Sequence, residues 1–289
     1  MLEKWEGSIF RCIQWAVVGV FAGRAYQHIL WDAPYRALLW DELWMKRIIE
    51  KVFSIEWETF ITSMSINDNI DLFIKGTGWF YLLCALLAIF IRRVPKRTYS
   101  LLLLGAINLI FLAFLYYKEK FFNVGQFFEY TLQFSAPIIL WYIMRQGKLT
   151  RSLMLWIKVA IALTFICHGL YAIGYYPQPG YFVQMILNIL GVQEEMAINL
   201  LKAMGYLDFV VSFLIFLPSP IAKPALMYAI LWGFATAMAR IWSNFNLEFF
   251  GESLHQHAFE SLYRFPHFLI PLAVWFWYRG LNGKRLKVN

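Results

Sequence analysis

Charge is scarce in this sequence. Only 15% of its 289 residues are Asp, Glu, Lys or Arg, against 60% hydrophobic and 19% aromatic, and a chain so poor in charge cannot cover a water-facing globule. A soluble enzyme is therefore excluded, and so is disorder. Cysteine is scarce too: Cys12, Cys84 and Cys167 lie far apart inside apolar runs, which leaves no disulfide framework, C-x-x-C pair or zinc cluster. Nucleotide-binding glycine loops, nucleophile elbows and an H-E-x-x-H pair are missing. The net charge of +8 is no nucleic-acid signature, because the basic residues sort by membrane side.

Long apolar runs are abundant. A spanning helix needs about 20 mostly apolar residues, and eight segments come near that: 9–30, 73–92, 98–117, 124–145, 152–174, 203–222, 224–243 and 257–278. The chain thus reads as all-α, a polytopic membrane protein with external amphipathic helices. The cluster Pro218, Pro220 and Pro224 should end the sixth segment and start the seventh. With Glu3 and Glu6 in its leader and Arg11 within the apolar run, the first segment reads as a retained span rather than a signal peptide. If both ends and every second connection share one side, that side holds 15 of the 26 basic residues and two acids, net +13; the other carries 11 bases and 16 acids, net −5. The positive-inside rule then places both termini in the cytoplasm and makes the lipid bilayer the first partner.

The chain also resembles itself. Lys75-Gly76-Thr77-Gly78-Trp79 is matched by Lys202-Ala203-Met204-Gly205-Tyr206, Phe128-Glu129 by Phe259-Glu260, and Phe21-x-x-Arg24 by Phe165-x-x-His168, at offsets of 127, 131 and 144. Residues 1–147 and 148–289 thus read as two four-helix repeats in parallel orientation, each a helix, an external amphipathic segment and three more helices.

A first span ending in His168-Gly169-Leu170, a loop with Pro177, Pro179 and Gly180, an amphipathic stretch ending in Leu190-Gly191, and a second span entered through Gly205 and Asp208 resemble the DoxX/DoxD family of small bacterial membrane proteins. The resemblance is best over residues 152–217. Asp208 stands where that family typically has Glu, and Tyr81 holds the matching place in the first half. The resemblance implies a bacterial inner-membrane protein. Some members are similar to subunits of quinone-linked sulfur oxidoreductases, so quinone is the implied ligand, with other membrane or periplasmic redox subunits as partners. The turn Trp31-Asp32-Ala33-Pro34 is similar to one in the multi-helix (HTTM-type) membrane domain shared with vitamin-K-dependent carboxylases.

Ionisable residues inside a bilayer are costly and mark function by default. Arg24 and His28 are four apart on one face; Glu260, Arg264 and His267 follow i, i+4, i+7. With Glu129, His168, Asp208 and Arg240 they all fall in the external halves of their spans, which predicts an outward-opening polar cavity. Arg24, Arg240, Arg264, Asp208 and Glu129 would bind an anionic or quinone-like ligand, while His28, His168, Glu260 and His267 would move protons. Against this stands a structural role, in ion pairs such as Glu260 with Arg264 or Arg24 with Glu129. His255-x-His257 in the last external turn offers a weak divalent-metal site with Glu252, Glu260 and His267 near, and haem between His28 or His168 and His267 is a further option. Residues 31–71, rich in Trp, read as interfacial helices, either a lid over the cavity or an inert layer that pads the surface. The rival roles are a small-anion carrier and a non-catalytic assembly or scaffold subunit.

Overall fold

A computed structural model describes residues 2–285, whose regular elements are all helices, with no strand among them. The first half comprises α1 (Leu2–Leu30), the short α2 (Arg36–Leu39), α3 (Glu42–Val52) and α4 (Trp57–Thr62), then α5 (Met64–Ile89), α6 (Ser100–Glu119), α7 (Val124–Glu129) and α8 (Thr131–Gln146). The second comprises α9 (Arg151–Ala172), α10 (Gly180–Leu190), α11 (Glu194–Leu214), α12 (Ser219–Ser243), α13 (Phe250–Leu262) and α14 (Pro266–Arg285).

Five helical stretches are long and apolar enough to cross a membrane: Met64–Ile89, Lys96–Glu119, Arg151–Ala172, Glu194–Leu214 and Ser219–Ser243. Their outward faces carry exposed Trp79, Leu104, Ile107, Phe213 and Leu231, as contact with lipid requires. The other three expected spans fall on α1, whose apolar run is diluted by Arg11, Gln14, Arg24, Gln27 and His28, and on two helices that turn out to be broken. Between α7 and α8 the chain tightens at Tyr130, whose N–H bonds back three residues to the Phe127 carbonyl at 3.3 Å. Between α13 and α14 it turns at Tyr263–Phe265, because Pro266 has no N–H to continue α13 and disfavours helix in the residue before it.

Helix starts also differ from expectation. Ser63 caps α5 by accepting the Ile66 N–H at 3.4 Å, so the second span begins nine residues early. The sixth likewise starts at Glu194, where Glu194 and Glu195 suit the positive end of α11. Pro224 does not open the seventh; α12 starts at Ser219 with Pro220 in its first turn, where a missing N–H costs least, and carries Pro224 inside the helix.

The core lies between α1, α5, α6, α8, α9 and α14. Within each half the first long helix packs closely on the second through a glycine. A Cβ at Gly78 would stand 2.9 Å from His28 Cβ and 2.7 Å from Ile29 Cγ1 on α1; one at Gly205 would stand 3.0 Å from Ala172 Cβ and 2.8 Å from Ile173 Cγ2 on α9. Small residues allow such approach without the large apolar interdigitation that water would enforce.

Candidate functional site

Arg24 is completely buried on α1 and meets no carboxylate among the described residues. Its guanidinium donates to Gln27 Oε1 and Gln133 Oε1, each at 2.7 Å, and lies 3.9 Å from the centre of the Tyr263 ring. Tyr116 and Tyr130, stacked 7° apart, complete an aromatic cage around it. Arg24 Nε has no partner.

His28 does not join the other histidines. Its Nδ1 donates to the Arg24 carbonyl at 2.7 Å, and its ring packs edge-on against Tyr35 and Tyr81 inside the first half. The expectation that it shares one cavity with His168 and His267 is corrected, because the backbone of α1 turns it toward α5.

The remaining residues do converge. His168 Nε2 lies 3.7 Å from Glu129 Oε1, and its ring touches that of His267 edge to face at 5.4 Å. His267 Nδ1 donates to the Arg264 carbonyl at 3.0 Å. Arg240 pairs with Glu260 at 3.1 Å and lies over Tyr181 of α10. Arg264 donates to the Glu260 backbone carbonyl at 3.2 Å rather than to its carboxylate. Both expected ion pairs are therefore re-partnered: Glu260 takes Arg240 instead of Arg264, and Glu129 takes His168 instead of Arg24. The contact between His168 and His267 leaves no gap for a porphyrin between them, which removes that haem option.

Two cavities meet at these residues. A polar chamber of about 470 Å³ is lined by Gln126, Glu129, Tyr181, Arg240, Glu260 and Arg264, with Tyr116, Tyr130 and Tyr263 of the Arg24 cage in its wall. A neighbouring pocket of about 280 Å³ has His168, Asp208 and His267 on one side and Phe165, Ile186, Leu201 and Trp232 elsewhere. Met185, Arg240 and Arg264 line both. Helix α10 borders both as well, with no buried residue of its own, and desolvation of the Tyr181 hydroxyl where it meets the chamber wall raises it above its ordinary pKa despite Arg240 nearby. No residue of 31–71 lines either cavity; α10 borders both instead. That earlier segment is instead pinned by ion pairs: Arg36 bridges Asp32 and Asp71, and Lys118 pairs with Asp41, holding its carboxyl below the usual range.

Asp208, buried on α11, accepts a hydrogen bond from the Tyr228 hydroxyl of α12 at 2.9 Å. In the first half Tyr81 of α5 donates to Asn108 of α6.

His255 and His257 lie on α13, not in a loop. At i, i+2 they point to nearly opposite sides of the helix: His255 contacts the Tyr26 hydroxyl at 2.5 Å and stacks on Trp31, while His257 lines the chamber. No three His, Cys, Asp or Glu side chains converge on a metal position among the described residues.

Sequence reasoning overlooked the neutral polar partners Gln27, Gln133, Gln126, Tyr116, Tyr130, Tyr181 and Tyr263. A signal existed for several. Gln27 follows Arg24 by three, Gln133 follows Glu129 by four and Tyr263 follows Glu260 by three, the spacings that share a helix face. No family model, curated protein or solved structure matches the chain.

Proposed function

We propose that this is an integral membrane protein of two four-helix repeats that binds an amphiphilic molecule, its polar head in the chamber and its apolar chain in the pocket under α10. The observation that carries this is that the polar chamber and the apolar pocket share Met185, Arg240 and Arg264 in their linings, since adjoining polar and apolar spaces fit a ligand built the same way. In the first half the corresponding space is filled by Tyr35, Tyr81 and Asn108. The glycine contacts support the repeat, because Gly78 to Gly205 and Ile29 to Ile173 recur at the sequence offsets of 127 and 144. The charge asymmetry supports both termini on the cytoplasmic side of a bacterial inner membrane, with the chamber facing outward.

Protein purified in a maltoside detergent should retain a co-purifying amphiphile detectable by native mass spectrometry. Ile186→Trp, which fills the pocket, should remove it. A wild-type protein that carries none and binds no added amphiphile would refute the reading.

The pair His168–His267 favours a quinone-linked role as a second reading, since adjacent imidazoles beside Glu129 can hand protons to a reduced head group. On that reading the extract contains quinone, and His267→Gln loses it without loss of fold.

A further inference from the structure

The chamber holds more positive charge than its carboxylates answer. His168 beside Glu129 is uncharged unless protonated, so Glu119, Glu129 and Glu260 face Lys120, Arg240 and Arg264 in the lining, and Arg24 behind the tyrosines is a fourth cation against three carboxylates. Asp208 lies on the pocket side, bonded to Tyr228. Arg264, only 7% exposed, makes a single hydrogen bond among the described residues, to a backbone carbonyl, rests on the Tyr263 ring and lines both cavities. Arg24, behind Tyr116, Tyr130 and Tyr263, has no carboxylate within salt-bridge distance among the described residues and no exposure to water. Protonation of His168, His257 or His267 would add further positive charge.

An arginine does not shed its proton to relieve burial, and a buried cation without a counter-ion is expensive. Glutamine oxygens and tyrosine rings offset part of that cost. A bound anion would offset the rest. Building on the amphiphile reading, we infer that the head group is an oxyanion, a carboxylate or phosphate, taken by the guanidinium of Arg264 at the junction of the cavities, with Arg240 beside it and Arg24 supplying a fixed positive field through the tyrosine wall. The planar fork of a guanidinium matches two oxygens of such a group. Arg264 is placed so that the head lies in the chamber while a chain attached to it enters the pocket.

The test uses the full-length protein in maltoside micelles with four probes: palmitate, methyl palmitate, decyl-ubiquinone and inorganic phosphate. Trp232 lines the pocket, so a change in intrinsic fluorescence that Trp232→Phe removes reports chain entry, and the thermal midpoint reports occupation of the chamber. Palmitate should bind at least about tenfold more tightly than its methyl ester. Arg264→Gln should abolish that preference while leaving ester binding in place, and Arg264→Lys should restore part of it. Phosphate that raises the midpoint in an Arg264-dependent way without palmitate binding supports the oxyanion and assigns its source to a soluble anion, overturning the amphiphile reading alone. Equal binding of palmitate, ester and quinone overturns the oxyanion and keeps the amphiphile. Absence of any binding overturns both. If Arg264→Gln does not fold, the comparison of acid with ester on the wild-type protein still decides.

Discussion

Two glycines on one helix, Gly76 and Gly78, provide a controlled measurement of how closely α5 approaches α1. At Gly76 an added Cβ meets nothing within 4 Å; at Gly78 it meets Ile29 Cγ1 at 2.7 Å, His28 Cβ at 2.9 Å and the Ile29 backbone nitrogen at 3.1 Å. Replacing either residue with alanine brings the same gain in helix propensity, up to about 1 kcal/mol. Only Gly78→Ala incurs the overpacking, which in a close-packed interior costs roughly 1–3 kcal/mol. Propensity cancels between the two variants, so their difference should be about 1–3 kcal/mol, with Gly76→Ala at or above wild type and Gly78→Ala below it. The backbone nitrogen among the contacts makes relief by side-chain rotation alone insufficient, so α1 and α5 must separate by some tenths of an ångström. Gly205→Ala on α11 should lose a similar amount, since it meets Ala172, Ile173 and the Gly169 carbonyl on α9 at 2.8–3.0 Å. The assay is unfolding in mixed micelles of increasing denaturing-detergent content, followed by helical circular dichroism. Equal stability of Gly76→Ala and Gly78→Ala would refute the close approach; a large loss at Gly78 with none at Gly205 would refute the equivalence of the two halves.

Tyr228→Phe removes the hydroxyl that Asp208 accepts from and should destabilise by about 1–3 kcal/mol, whereas Tyr228→Phe with Asp208→Leu should recover much of the loss; no recovery in this double variant argues against the pair. The Asp41 carboxyl, held low by Lys118, contributes stability that is present above its unfolded pKa and lost as pH falls through the lowered folded value. Lys118→Met should therefore cost ~0.2–1 kcal/mol at neutral pH and flatten the acid limb of a thermal-midpoint profile; an unchanged limb counts against the ion pair. Cys12, Cys84 and Cys167 are all free and buried, so a water-soluble thiol reagent should label none of them in native micelles and all three after unfolding, and rapid native labelling would contradict the packing of α1, α5 and α9.

Much of the site was legible in the sequence because its constraint is local. Inside a bilayer a charged group is costly wherever it lies, so Glu129, His168, Arg240, Glu260, Arg264 and His267 stood out by depth and helical spacing, and the structure brings them to one place. Their partners were not legible. Which acid meets which base depends on the rotation of each helix about its own axis, and a rotation of one residue, about 100°, decides whether Glu260 faces Arg264 or Arg240. His28 shows the same limit, sharing a face with Arg24 by spacing yet delivered to Tyr35 and Tyr81.

Composition and periodicity by themselves determined an all-helical chain with apolar faces for lipid, because hydrocarbon demands that backbone groups be satisfied within each segment. The tertiary structure alone decided where the helices break, at Tyr130 and at Tyr263–Phe265, since those turns place side chains that an unbroken helix would carry elsewhere. It alone left Arg24 without an acid among the described residues and set Arg264 in the walls of both the polar chamber and the apolar pocket. Local rules set what each helix is, whereas charge balance in a cavity sums over five or six helices that only packing brings together.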